Sequence, residues 1–157
     1  MTDFNILRKR YSEVLCGRGH SGKRTADCIL RSDERTEQRL AQLDTRIEKA
    51  ITSNEPGIVN ATLKGILDIS TSFSQNNSRF YHDENIKNKI FNALNALEKV
   101  YNDTIAPQGN WWYWEIGIPL SLNSIFTLMY DYADKSQLKR YMAAERHFND
   151  RIKLTGA

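Results

Sequence analysis

Residues 110–119 read Asn-Trp-Trp-Tyr-Trp-Glu-Ile-Gly-Ile-Pro, and all three tryptophans of the chain fall within them. Neighbouring side chains on a helix or a strand point in different directions. Trp111 and Trp112 therefore cannot both face one core, and at least one is expected to line a surface or a cleft unless a loop bends both inward. A flat indole beside polar Asn110 and Glu115 suits a sugar ring. The ring's C–H face packs on the aromatic plane and its hydroxyls take the polar partners. The competing reading is a packed loop that anchors two helices. Glu115 is open to two readings as well: a carboxyl stripped of water by its aromatic neighbours, or a carboxylate favoured at the start of a helix opened by Pro119.

Other chemistry finds little support. His20, His82 and His147 are far apart and, with Cys16 and Cys28, have no zinc-ligand spacing, so they read as surface histidines. Gly17 and Gly19 do not make a phosphate loop, because no strand precedes them and no Gly-Lys-Ser follows. There is no Gly-x-Ser-x-Gly nucleophile elbow. Tyr101, Tyr130 and Tyr141 fall on apolar stripes and read as core. Two cysteines are too few for a disulfide framework and read as thiols. No metal or cofactor is expected.

The chain has 157 residues, 40% hydrophobic and 26% charged, with a net charge of +3. That is one helical domain over residues 1–157, large enough to bury a core. The charge is too mild to require a polyanionic partner. Its excess gathers in Arg8, Lys9, Arg10, Arg18, Lys23 and Arg24, which read as a solvated basic stretch rather than a nucleic-acid site. No apolar run approaches the ~20 residues of a membrane span. The first ten residues lack the apolar centre of a secretory signal. Taken literally, that places the chain in the cytoplasm; it equally fits a chain whose true start has been lost.

The elements that must position the aromatic segment read as helices throughout. Phe4, Leu7, Tyr11, Val14 and Leu15 form a first stripe, with Asp3 a possible cap. Gly17, Gly19 and Gly22 break it. A second helix runs from Ile29 through Leu40, Leu43, Ile47 and Ile51, its charged middle, 31–39, partly solvated. Pro56 opens a third helix, carrying Ile58, Leu63, Ile66, Leu67 and Phe73. After a loop at 74–78, Asp83 caps a fourth helix with Ile86, Ile90, Leu94, Leu97 and Tyr101. Pro119 opens a fifth, with Leu122, Ile125, Phe126 and Met129 inward. A turn at Asp134 and Ser136 leads to a sixth, with Leu138, Tyr141, Met142 and Phe148. Short loops between amphipathic helices favour antiparallel neighbours.

The run Asn110-Trp111-Trp112-x-Trp114-Glu115-Ile116-Gly117-Ile118-Pro119 resembles the signature of family 8 of the polysaccharide lyases, which includes hyaluronate, chondroitin and xanthan lyases. Ser78 through Ile86 resembles the segment one helix earlier in bacterial hyaluronate lyases. Leu122-Asn123-Ser124 through Met129, and the closing Leu154-Thr155-Gly156-Ala157, also resemble family segments. The resemblance implies an all-α fold in which antiparallel helix hairpins form part of an incomplete α/α toroid. It implies β-elimination on an acidic polysaccharide, hyaluronan or chondroitin, without a cofactor, by an exported enzyme. A catalytic Asn neutralises the uronate carboxylate, and a Tyr with a nearby His moves the protons. By the same resemblance Asn110, Trp111 and Trp112 form the aromatic substrate patch, and Lys64 stands where a substrate-facing Arg aligns. Lys keeps the charge but loses the bidentate fork. Leu120 stands where the family commonly has Arg. The family's catalytic Asn follows the Thr-Gly-Ala stretch and its His and Tyr come later. The expectation is thus a lyase fragment that carries the aromatic patch but not the catalytic set; a carbohydrate-binding helical fragment and an inactive relic are the alternatives.

Overall fold

The computed structural model describes residues 3–17 and 26–150. Among them the chain is helical, with no strand. The helices are α1 (Asp3–Leu15), α2 (Ala26–Ala41), α3 (Leu43–Ser53), α4 (Pro56–Ser74), α5 (Glu84–Leu97), α6 (Ile118–Met129) and α7 (Lys135–Asn149). A π-helical turn, Tyr113–Gly117, leads into α6, and a 3-10 turn, Tyr130–Tyr132, ends it. The expected loop glycines Gly19 and Gly22, His20, the cations Arg18, Lys23 and Arg24, and the closing residues 154–157 lie outside the described residues.

The second helix of the sequence reading is two, broken at Gln42. Asn54, in the left-handed region at φ 52°, ends α3. Pro56 then starts α4 at a position where its missing N–H costs nothing. This hairpin is antiparallel. Thr62 donates to the Arg46 carbonyl at 3.4 Å, Arg39 pairs with Asp68 at 3.0 Å, and Thr36 meets Ser72 at 2.9 Å, the partners running in opposite order. The charged middle of α2 is partly solvated, as expected, with Asp33 and Thr36 its covered residues. Asp33 is buried; it accepts from the Ser78 hydroxyl at 2.6 Å and from the Arg79 backbone N–H at 2.9 Å, and so clasps the loop after α4.

Asp83 caps α5 as expected, accepting from the backbone N–H groups of Asn85 and Ile86. Asp134 does the same for α7 through Ser136. Tyr101, beyond the end of α5, is buried with its hydroxyl on the Trp114 carbonyl at 3.3 Å, and Phe73 meets His82 at 5.4 Å at the other end. Gly57 faces Tyr113 and Phe73 faces Tyr132, so α4 and α6 run parallel. α5 runs against them, with α7 beside it in the same direction: Gln137–Asn95, Arg140–Glu98 and Tyr141–Leu94 keep separations of 42, 42 and 47 residues. The core lies around α4 and α6, built from Leu63, Ile66, Ile69, Phe73, Ile90, Leu94, Leu122, Ile125 and Met129. No helix among the described residues is long and apolar enough to cross a membrane.

α1 departs from its reading. Its stripe is apolar, but Phe4, Leu7 and Val14 are largely exposed, and the helix buries no residue completely. It lies along α6 through Tyr11–Ser124 and Arg8–Asp131, each at 3.1 Å. Tyr130 is exposed rather than core, with Phe4 and the Arg8 guanidinium over its ring. No disulfide joins Cys16, which is buried, to Cys28, which is exposed.

Candidate functional site

The helix of the aromatic segment begins earlier than Pro119 predicts. Asn110 accepts the Trp112 backbone N–H on its Oδ1 at 3.0 Å and caps a helical turn starting at Trp111. Glu115 makes no capping bond; it sits half-buried in the first turn of this helix. The chain then widens: Ile118 N–H donates to the Tyr113 carbonyl, five residues back. A proline inside a helix cannot donate, and its ring crowds the carbonyl four residues before it. A π turn just ahead of Pro119 relieves that crowding without ending the helix, and such turns are frequent at functional sites.

Trp114 is the anchor of the segment. It is 1% exposed, its indole N–H donates to the Gln108 carbonyl at 2.7 Å, and its ring packs on Tyr101 and Phe148 at 6.1 and 4.9 Å. Two positions along a helix is about 200° of rotation, so burying Trp114 turns Trp112 outward. Trp112 is 37% exposed and Trp111, in the first helical position, 59%. Ile116 and Leu120 continue an exposed apolar strip along the same helix. Trp111 and Trp112 thus stand on a helical turn and are exposed, not packed in a loop.

Trp112 is held by two neighbours. The Tyr113 ring meets it edge-on, with centroids 5.3 Å apart, and Tyr113 itself lies over Gly57 of α4. The indole also lies over Gly117, where a methyl group would come within 2.7 Å of Trp112 Cζ3. Asn110 is exposed with its Oδ1 committed to the cap, which leaves its amide N–H groups facing solvent. Lys64 is exposed on α4, seven residues beyond Gly57 and so nearly on the same face, about 10 Å further along the axis. No ion pair, hydrogen bond or ring contact joins Lys64 to either indole. The structure brings Asn110, Trp111 and Trp112 together and leaves Lys64 at a distance. Sequence reasoning missed Gly57, Tyr113 and Gly117; the only signal was a glycine inside an otherwise helical motif.

The remaining polar chemistry lies elsewhere. Burial holds the Tyr101 and Tyr141 hydroxyls well above their usual range, Glu145 adding to this at Tyr101 and Glu98 at Tyr141. Both hydroxyls donate to core carbonyls. Tyr132 and His82 meet at 3.4 Å in a cleft with Arg8, Lys9 and Tyr81. That cleft is at the far end of α6, about 25 Å from Trp112 at 1.5 Å per residue. His147 is half-buried and donates from Nε2 to the Ile105 carbonyl at 3.0 Å. Glu145, between α6 and α7, is pushed up to about 7 by burial, although Asn123 donates to it at 3.3 Å. Among the described residues no three His, Cys, Asp or Glu side chains converge as metal ligands.

Residues 27–154 match the family model for the polysaccharide lyase family 8 N-terminal alpha-helical domain. The chain is 29% identical to a xanthan lyase of Bacillus sp. (strain GL1), over 99% of this chain and 18% of that protein. It is 24% identical to a hyaluronate lyase of Thermasporomyces composti, over 94% of this chain and 20% of that one. Among solved structures, a Paenibacillus xanthan lyase superposes with a TM-score of 0.71 at 21% identity, over 99% of this chain and 16% of that one. A Streptomyces coelicolor A3 chondroitin AC lyase in complex with chondroitin sulphate gives 0.72 at 20% identity, over 92% and 20%. The chain thus spans about a fifth of the length of these relatives.

Proposed function

The chain belongs to polysaccharide lyase family 8, within its N-terminal α-helical domain, and on that premise we propose that it holds an acidic polysaccharide for a β-eliminating lyase. Trp111 and Trp112 stack on sugar rings, the Asn110 amide donates to a neighbouring hydroxyl or carboxylate, and Lys64 supplies the nearest cation on α4. The reaction it serves removes the C5 proton of a uronate, whose electrons expel the C4 oxygen and leave an unsaturated sugar. The polymer is a uronate-bearing chain, hyaluronan or chondroitin by the resemblance, with xanthan in view because a relative carries that name. The proposed setting is extracellular.

One observation carries this reading: two adjacent indoles stand exposed while the third is buried as their anchor. Packing does not require the outer pair to be tryptophan, and with Ile116 and Leu120 they form a contiguous exposed apolar strip, the kind of surface that supports a ligand-site reading. The chemical step is assigned to residues other than the described ones. Tyr101 and Tyr141 are locked on core carbonyls, and the Tyr132–His82 pair is too distant to act on a sugar at Trp112.

Titration of the intrinsic tryptophan fluorescence with hyaluronan, chondroitin and xanthan oligosaccharides tests the proposal. Saturable quenching is expected with at least one, weakened about tenfold by Trp112→Ala, and no unsaturated-uronate absorbance is expected from this chain alone. Identical titrations for the wild type and Trp112→Ala, or no response to any of the three, would refute the binding role. Growth of the unsaturated product would refute the division of labour.

A further inference from the structure

We propose that Gly117 is a positioning residue for Trp112, a glycine whose absent side chain is the seat on which the indole lies. This rests on the reading of Trp112 as a sugar platform, and it names the feature that fixes which face the platform offers. In a regular α-helix, a residue five positions on is about 140° around the axis from the first. The π turn closes its hydrogen bond across five residues, from Ile118 N–H to the Tyr113 carbonyl, and brings position 117 beneath position 112. The indole occupies the space so created. A methyl group on Gly117 would sit 2.7 Å from Cζ3 and 3.2 Å from Cε3 and Cη2 of that ring. Those distances are well inside the 3.5–4.0 Å at which carbon atoms rest against each other. Gly117 has an ordinary helical backbone, with φ −63° and ψ −48°, so its identity is not demanded by conformation. It is demanded by the ring. The Tyr113 ring, itself packed on Gly57, meets the indole edge-on. Trp112 is therefore held by a backbone floor and a neighbouring ring while staying 37% exposed.

Gly117→Ala tests this. Alanine is the better helix former, so the fold gains locally while the ring is displaced. With 5-fluorotryptophan in place of the three tryptophans, fluorine NMR gives one resonance each, that of Trp112 assigned by its loss in Trp112→Phe. Gly117→Ala is expected to shift the Trp112 resonance and leave that of buried Trp114 in place. It is also expected to weaken oligosaccharide binding about tenfold. In Trp112→Ala, where no ring remains to displace, adding Gly117→Ala is expected to cost nothing more in binding, a pattern that a general structural role would not produce. Should Gly117→Ala fail to fold, cooperative melting of the double variant would still identify the ring as the obstacle, and its failure to fold would overturn the proposal. An unmoved Trp112 resonance, or an equal loss of binding in both backgrounds, would also overturn it. If the wild type binds no oligosaccharide, the platform reading falls while the fluorine spectrum still decides the seat.

Discussion

Glu145 shows how a single buried residue sets a property of the folded chain. Its carboxyl sits between α6 and α7 with one oxygen on Asn123 and the other without a protein partner. Burial raises it from the ordinary 4.5 to about 7. The native chain therefore keeps a proton that the unfolded chain releases, and stability falls as pH rises between about 4.5 and 7. The effect is at most about 3 kcal/mol. Glu145→Gln removes the titration, so its melting temperature is expected to change less than that of the wild type between pH 5 and 7.5, and to exceed it at the upper end. Superimposable pH profiles would contradict the assignment. At this scale the exposure of the paired indoles was legible, because adjacent side chains on a helix point in different directions. The sequence was silent on Glu145, since nothing within α7 marks which of its polar positions the neighbouring helix will cover.

At the scale of elements, the capping residues were readable because their hydrogen bonds are local. Asp83 and Pro56 mark helix starts from sequence alone, and both do so in the fold. The start of the aromatic helix was misread for a related reason. Pro119 is a strong N-terminal signal, and only the wider π turn lets it lie inside a helix already begun at Trp111. The polar middle of α2 is partly solvated, as its charge pattern suggests, but which of its residues are covered was not legible, because the partners of Asp33 and Thr36 lie far along the chain, in α4 and in the loop 75–83. That contact carries a test. Asp33→Ala strips the partners from the Ser78 hydroxyl and the Arg79 N–H in a buried setting and is expected to cost about 2–3 kcal/mol in urea unfolding. Asp83→Ala, the loss of an ordinary cap, is expected to cost about 1 kcal/mol. Equal, small losses for both would mean that the clasp adds no more than a surface bond.

For the whole molecule, the all-helical hairpin architecture follows from stripes at three- and four-residue spacing, and the solved lyases share it. The arrangement of those hairpins did not follow, because periodicity says which face of a helix is apolar and not what covers it. α1 makes the point: its stripe is clear in the sequence and mostly open to solvent in the fold. What the arrangement does for function is to set two ends of α6 apart. One carries Trp111, Trp112 and Asn110; the other carries the Tyr81, His82 and Tyr132 cleft with Arg8 and Lys9. Both offer rings and polar groups, and the proposed function assigns the saccharide to the first. The most direct test of the account is a map of amide and indole NMR shifts as a hyaluronan hexasaccharide is added. The expected result is movement at Asn110, Trp111, Trp112 and Lys64, with the far cleft unchanged; movement centred on Tyr81, His82 and Tyr132, with the indole signals of Trp111 and Trp112 still, would contradict it.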